Sequence, residues 1–324
     1  MTNDDIDLRV KALVKPECLI PEIPPITDLV YPQFKMMLPS SYNAPIRVND
    51  LWSIYDVNRK LYQYTNSWNV LAERQTNAPA GSIIKITEGN ETKYLGRQHY
   101  KSAFNSDYES LYSKSANGIS WTPIFRDRAI QGEDGNMIQI PRTGLIYNFV
   151  RPSRIRDLGV QTLISNVSNN NLPSNIIELI KHNTSLSLGQ KDVYCACPIA
   201  LNDNLFPKFL LFVSLYQKGN FGQDVEQVEP FQWDEQTVDS YLYYYDATSN
   251  YIEVLNNSKP IINRTALQQQ KYNWATLEGD TIYINSSFCM NKHVMIYPQT
   301  LTSELYTWKL SDALKFTEGG NNNV

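Results

Sequence analysis

The segment from Leu51 to Leu71 is the part of the sequence that most constrains the fold. It consists of short runs rich in aromatic residues, separated by polar turns at residues 57–59 and 65–67. After the first turn, Tyr62 and Tyr64 alternate with other side chains, and a period of two is typical of a strand with two different faces. The segment therefore predicts short antiparallel strands joined by tight turns.

The same segment resembles a small β-module common in tail-fibre, baseplate and other virion proteins of tailed bacteriophages. That module runs Leu-Trp, Tyr-Asp, an Asn-rich turn, Leu-Tyr-x-Tyr and a closing Trp. The matching residues here are Leu51, Trp52, Tyr55, Asp56, Asn58, Leu61, Tyr62, Tyr64 and Trp68. The chain departs from the pattern by placing Ser53 and Ile54 between Trp52 and Tyr55. The resemblance implies a β-rich structural protein of the virion, in the tail, baseplate, fibre or neck.

Composition fits a protein with a sizeable core and few charges. The chain has 324 residues, of which 42% are hydrophobic and 19% are charged. Length alone suggests about two domains. The 21 Tyr and 6 Trp are amphipathic side chains that suit either protein interfaces or β-sheet cores. A net charge of −4 without a run of Lys and Arg argues against direct nucleic-acid binding.

The sequence gives no membrane or secretion signal. The first ten residues lack an apolar core, and the apolar run from Phe209 to Leu215 is too short to span a bilayer. We therefore expect synthesis in the cytoplasm of a host cell and residence in the virion. Cys195 and Cys197 lie on one strand face without the partners of a zinc site, which favours buried free thiols.

An apolar, proline-rich segment precedes the aromatic module. Residues 15–46 contain seven prolines among many Ile, Leu, Met and aromatic side chains. Such a segment favours extended backbone and is too apolar for a solvated linker. It is predicted to lie either on its own domain or along a neighbouring subunit. The candidate interaction residues of the arm and the module are Ile20, Ile23, Ile26, Val30, Tyr31, Phe34, Trp52, Tyr55, Tyr62, Tyr64 and Trp68.

The predicted fold class is mainly β with a few short helices (α+β), built from small antiparallel β-modules and the extended N-terminal arm. The predicted parts are an arm at 1–49, a β-rich domain at 50–150 and a second mainly β domain at 151–324. A hairpin is expected around the turn Glu88-Gly89-Asn90, and buried strands at 193–201 and 209–216. Helices are predicted at 4–14, at 173–180 and at 302–316.

Residues for chemistry are sparse. The three histidines lie in unrelated contexts, and no catalytic or nucleotide-binding motif is present. Neither a cofactor nor a metal is expected. The best acidic candidates for metal or general-acid chemistry are Asp224, Glu226, Glu229, Asp234, Glu235 and Asp239. Paired carboxylates for glycoside cleavage need only meet in space, so this chemistry stays open.

These observations favour a non-enzymatic structural protein of a bacteriophage virion, assembled through subunit contacts as an oligomer of β-sandwich type domains. The expected partners are other virion proteins and copies of itself, with a glycan possible and neither membrane nor nucleic acid involved. The alternatives are a receptor- or carbohydrate-binding adhesin of the tail, whose Trp and Tyr faces stack on sugars, and a capsid-associated protein. A glycan-active enzyme that uses the acidic stretch ranks last.

Overall fold

A computed structural model describes most of the chain. The described residues are 29–73, 77–79, 81–101, 108–127, 132–152, 161–165, 175–180, 185–186, 188, 192–216, 238–262, 269–289 and 301–318. Several predicted features lie outside these residues, namely the helix at 4–14, the arm residues Ile20, Ile23 and Ile26, and the acidic residues from Asp224 to Glu235.

The described strands form five antiparallel units of four, which we number as blades 1 to 5. Blade 1 contains β2 (Ile46–Val48), β3 (Leu51–Tyr55), β4 (Leu61–Tyr64) and β5 (Trp68–Ala72). Blade 2 contains β6 (Ile83–Glu88), β7 (Glu91–Lys101), β8 (Tyr108–Ser115) and β9 (Thr122–Asp127). Blade 3 contains β10 (Gly132–Gln139), β11 (Ile146–Pro152), β12 (Gln161–Ser165) and β13 (Asn175–Glu178).

The last two blades complete the set. Blade 4 contains β14 (Asp192–Ala200), β15 (Lys208–Tyr216), β16 (Val238–Asp246) and β17 (Tyr251–Val254). Blade 5 contains β18 (Gln269–Glu278), β19 (Thr281–Cys289), β20 (Leu301–Lys309) and, from the N-terminal side of the chain, β1 (Gln33–Leu38). Blades 3 and 4 are hydrogen-bonded into one eight-stranded sheet through the parallel pair Gly135 and Ala196, so the five blades make four sheets.

The first strands of the blades, β2, β6, β10, β14 and β18, lie side by side around a common axis. Each gap between adjacent blades is filled by its own cluster of buried apolar side chains. Representative residues are Tyr55 between blades 1 and 2, Leu95 between 2 and 3, Phe209 between 3 and 4, Phe212 between 4 and 5, and Ile54 between 5 and 1. Radially arranged four-stranded sheets around a central axis are the architecture of a five-bladed β-propeller.

Strand β1 closes the ring. It pairs antiparallel with β20 as the outermost strand of blade 5, from Gln33 opposite Thr307 to Leu38 opposite Ser303. The chain then crosses at once to the innermost strand of blade 1. Because both ends of the propeller contribute to one blade, the first and last blades are held side by side.

The structure confirms the predicted mainly β class, the meander at 51–71, the hairpin at 88–90 and the buried strands β14 and β15. A β-sandwich is wrong, because the sheets pack radially around an axis rather than as two layers. The predicted helix at 173–180 is also wrong, since Asn175–Glu178 is strand β13 paired with β12. Its adjacent isoleucines are β-branched and favour a pleated strand.

The predicted helix at 302–316 is half wrong. Leu301–Lys309 is strand β20, where Leu301, Ser303 and Leu305 are buried and alternate with less buried residues. Only the following helix α1 (Leu310–Glu318) is helical. Buried and less buried residues of this segment alternate with a period of two, which is typical of a strand and not of a helix.

The predicted division into an arm and two β domains stays a prediction. In the fold, β1 and β2 from the predicted arm pair with β20 and β3, and the boundary at residue 150 falls inside β11. None of the helices in the described part of the chain is long and apolar enough to cross a membrane.

Candidate functional site

The described residues enclose a cavity of about 470 Å³ on the propeller axis. All five innermost strands line it, for example through Ile46, Ile83, Met137, Ile199 and Ala275. Small-molecule sites typically enclose about 300–1,000 Å³ with apolar walls and a few placed polar groups. The cavity therefore has the size and wall character of a ligand site.

An ion pair between blades 1 and 5 forms one side of this cavity. Arg47 on β2 donates from Nε to both carboxylate oxygens of Glu278 at the end of β18, at 3.1 and 3.2 Å. The Glu278 side chain is 45% exposed, so this carboxylate faces solvent at the cavity wall. The Arg47 guanidinium also donates to the Asp50 carbonyl at 2.9 Å, which fixes its orientation.

The Trp52 indole packs against the guanidinium of this arginine. The Arg47 guanidinium carbon lies 4.1 Å from the centre of the indole ring, within the range of a cation–π contact. The Tyr283 ring of blade 5 lies 4.3 Å from the same indole, tilted by 51°. The indole therefore braces the ion pair across the blade boundary, and these two neighbours occupy ring surface that stacking on a sugar would need.

A second carboxylate lines the cavity from blade 4. Asp203 lies in the short loop at 201–207 between β14 and β15, and it is exposed. The neighbouring Asn202 accepts hydrogen bonds from the backbone N–H groups of Asn204 and Lys208, both at 3.4 Å, which hold the loop in shape. Asp203 has no hydrogen-bond or ionic partner among the described residues, so its oxygens are available to a ligand.

Much of the remaining wall is apolar or already engaged. Cys197 is buried, with its thiol between the backbone N–H of Ala275 at 3.1 Å and the carbonyl of the same residue at 3.6 Å. Burial raises the pKa of this thiol to about 12, so it stays neutral. The Gln139 side-chain amide is engaged by Thr87, because it accepts a hydrogen bond from the Thr87 backbone N–H and donates one to the Thr87 carbonyl. The groups left for a ligand include Asp203, Glu278 and the Asn202 amide nitrogen.

Among the described residues, no group of three or more His, Cys, Asp and Glu side chains is placed to hold a metal ion. Cys195 and Cys197 are buried and not joined in a disulfide, as predicted. The Asp239 backbone lies in β16, away from the cavity wall.

The predicted interaction residues do not gather at one surface. Val30, Tyr31 and Phe34 are partly exposed near β1, where Tyr31 packs edge-on against Phe316 and Phe34 against Tyr306. Their role in assembly stays a prediction.

The residues of the aromatic module lie inside the blade boundaries. Tyr55 is fully buried and accepts a hydrogen bond from the Trp121 indole at 2.8 Å. Tyr62 packs at the boundary of blades 5 and 1, and Tyr64 lies 5.3 Å from Trp68. Of the predicted interaction residues that the structure describes, only Trp52 lines the cavity.

Sequence reasoning missed Arg47, Asp203 and Glu278. They belong to three blades and follow no spacing rule, because a propeller brings together residues from the ends of strands far apart in the chain. The sequence carries a weak signal for two of them, since Asp203 lies in a loop and Glu278 at a strand end, where binding residues concentrate.

No family model matches the sequence, and no curated protein matches it. Solved structures do share the fold. An exo-β-1,3-galactanase from Phanerochaete chrysosporium, bound to β-1,3-galactotriose, superposes with a TM-score of 0.57 at 9% identity, over 85% of this chain and 62% of that one. The chain thus spans less than two thirds of the galactanase.

Two further solved structures are matched by this chain over nearly their full length. An N-acetylgalactosamine deacetylase from F. plautii, in complex with blood group B trisaccharide, has a TM-score of 0.55 at 9% identity, over 92% of this chain and 96% of that one. A glycoside hydrolase has a TM-score of 0.50 at 10% identity, over 95% of both chains. At these identities the likeness shows the fold alone.

These comparisons overturn the prediction of a non-enzymatic structural protein of the phage tail, baseplate or neck. The chain shares its fold with carbohydrate-active enzymes. The physical reason for the error lies in residues 51–71, whose aromatic alternation encodes three strands of one propeller blade. The resemblance of this segment to phage β-modules stays a prediction.

Proposed function

We propose that this protein is a glycan-active enzyme that binds a sugar chain in the axial cavity and cleaves a glycosidic bond there. The observation that carries the proposal is that two exposed carboxylates, Asp203 and Glu278, both line one cavity of about 470 Å³. Glycoside hydrolysis requires two carboxyl groups, one to protonate the leaving oxygen and one to act as nucleophile or base. The propeller supplies them from neighbouring blades.

The different surroundings of the two carboxylates suggest different roles. Glu278 is held in place by Arg47, which donates to both of its carboxylate oxygens. We assign it the nucleophile or base. Asp203 lacks such a partner within the described structure and is the candidate for the general acid. The Asn202 amide beside it is placed to donate to a sugar hydroxyl.

The wall also suits a carbohydrate. Apolar side chains such as Ile199, Leu277 and Trp274 form broad surfaces, and a sugar ring presents both apolar C–H faces and hydroxyl edges. The similar galactanase and deacetylase structures contain bound oligosaccharides, which supports a glycan as the substrate class. The identity of the sugar is left to experiment.

The test is release of reducing sugar from a panel of plant, fungal and bacterial polysaccharides by the purified chain. Asp203→Asn and Glu278→Gln are each expected to lower turnover by about 10²–10⁴-fold, the usual contribution of a general acid or base. The matched control is Asp280→Asn, an exposed carboxylate two residues after Glu278 that pairs with Lys309 outside the cavity. Its turnover should equal that of wild type.

Two results would contradict the proposal. Absence of both turnover and glycan binding by wild type would remove the function. Full turnover by both site variants would remove Asp203 and Glu278 from the chemistry and with them the proposed site.

A further inference from the structure

We propose that Phe206 and Tyr251 form a second glycan-contact surface on blade 4, beside the cavity, which binds the part of a sugar chain that extends beyond the cavity. The inference rests on the proposed function, because it assumes that the chain begins in the axial cavity. It specifies that the preferred ligand is an oligosaccharide of several units rather than a single sugar.

The first step is the continuity between cavity and surface. The loop at 201–207 begins with Leu201, Asn202 and Asp203, which line the cavity, and continues directly to Phe206. Phe206 is 51% exposed, so a large aromatic ring stands in solvent three residues from a cavity carboxylate. A ligand leaving the cavity past Asp203 meets this ring next.

The second step is that the backbone that carries this ring is held in place. The Leu205 carbonyl accepts a hydrogen bond from the Tyr147 hydroxyl at 3.2 Å, and the Phe206 carbonyl accepts one from Thr248 at 3.4 Å. The Pro207 carbonyl accepts the backbone N–H of Ala247 at 3.1 Å. An exposed apolar side chain on a loop tied at successive carbonyls is preorganised for contact.

The third step is a second exposed aromatic side chain on the same blade. Tyr251 is 49% exposed at the start of β17 and lies opposite Asp246, which in turn lies opposite Lys208 at the end of the loop. Adjacent strands are about 4.8 Å apart, so the row from Lys208 to Tyr251 spans about 10 Å. That length suits about two sugar units laid across the blade edge.

The chemistry favours a sugar as the occupant. The C–H groups on one face of a pyranose carry slight positive charge and fit the negative face of an aromatic ring. The Tyr251 hydroxyl donates to Glu253 at 2.9 Å, and the resulting polar edge is suited to sugar hydroxyls. The surface thus combines apolar rings with polar neighbours.

The experiment measures the affinity of wild type, Phe206→Ala and Tyr251→Ala for a series of oligosaccharides of increasing length, taken from the best substrate of the polysaccharide panel. Binding is measured by calorimetry. Each protein, including the reference called wild type in this experiment, also carries Glu278→Gln to prevent turnover. We expect each aromatic variant to bind the longer oligosaccharides about 2- to 10-fold more weakly, and the shortest ones as wild type does. The matched control is Phe34→Ala, because Phe34 is 55% exposed on the outer strand of blade 5.

Equal affinity of wild type and both variants at every chain length would overturn the inference and leave the proposed function intact. An equal loss at all lengths would also overturn it, since Phe206 would then act on the cavity itself. Failure of wild type to bind any member of the series would instead contradict the proposed function. Melting temperatures of the variants, expected to match wild type, separate binding effects from unfolding.

Discussion

The boundary between blades 3 and 4 and the boundary between blades 5 and 1 join neighbouring blades in different ways. Blades 3 and 4 share a continuous sheet through the β10–β14 pair and bury a large aromatic cluster, in which the Phe209 ring stacks at 5.8 Å on Tyr245 and meets Phe149 edge-on at 5.3 Å. Blades 5 and 1 have a small apolar cluster in the described structure, built on Leu38, Ile54 and Leu305.

The boundary of blades 5 and 1 instead relies on a buried polar network. Asn285 donates to the Ser41 hydroxyl at 2.7 Å and to the Asn43 carbonyl at 2.8 Å. Ser287 donates to the side-chain amide oxygen of Asn285 at 2.9 Å and shares a hydrogen bond of 2.8 Å with Ser303. All of these side chains are almost fully buried.

The contrast has a physical reason. Apolar contacts are not directional, whereas buried hydrogen bonds are satisfied in only one register and are costly to leave unmade. The boundary that joins the two ends of the ring therefore gains specificity from polar groups, while the boundary inside one sheet gains stability from apolar area. The Arg47–Glu278 pair of the candidate site lies at the boundary of blades 5 and 1.

The largest effect is expected in the aromatic cluster. Phe209→Ala removes a fully buried ring and leaves a cavity, so it should lower the free energy of unfolding by about 3–5 kcal/mol. Denaturant unfolding measures the change, with Phe34→Ala as the exposed control. A loss below about 1 kcal/mol would show that this boundary does not depend on its aromatic packing.

A smaller effect is expected at the polar network. Asn285→Ala leaves the Asn43 carbonyl and the Ser41 hydroxyl short of a partner in a buried site, which should cost about 1–3 kcal/mol. The control is Asn69→Ala, since Asn69 is an exposed asparagine in β5. Equal stability of the two variants would show that ring closure does not require the network.

The smallest stability effect is expected at Arg47. Its ion pair with Glu278 is partly exposed, and such pairs contribute about 0.2–1 kcal/mol. Arg47→Met should therefore barely change unfolding, yet it should lower glycan turnover because Glu278 loses its support. If stability and turnover both fall strongly, the pair is structural and the comparison between scaffold and site at this boundary fails.

The sequence predicted the local structure better than the assembly. Alternation in residues 61–64 and the turn at 57–59 were sufficient for β4 and its pairing with β3, because a short meander is determined by neighbours in the chain. The runs at Ile176 and at 302–309 were misassigned, since short apolar runs fit helix and strand alike.

The candidate site could not be predicted from local sequence patterns. Arg47 and Glu278 meet only because β1 closes the ring and brings blade 1 against blade 5. Asp203 joins them because the innermost strands of all five blades share one axis. Trp52 was singled out as an aromatic contact residue, but its place beneath Arg47 follows from the ring and not from the segment that contains it.

The most direct test of the central claim is a crystal structure of the Glu278→Gln variant with a bound oligosaccharide from the turnover panel. The account predicts electron density for a sugar in the axial cavity, within hydrogen-bond distance of Asp203 and of the residue at 278. Sugar density confined to another surface, with the cavity empty, would contradict the assignment of this cavity as the site of glycan chemistry.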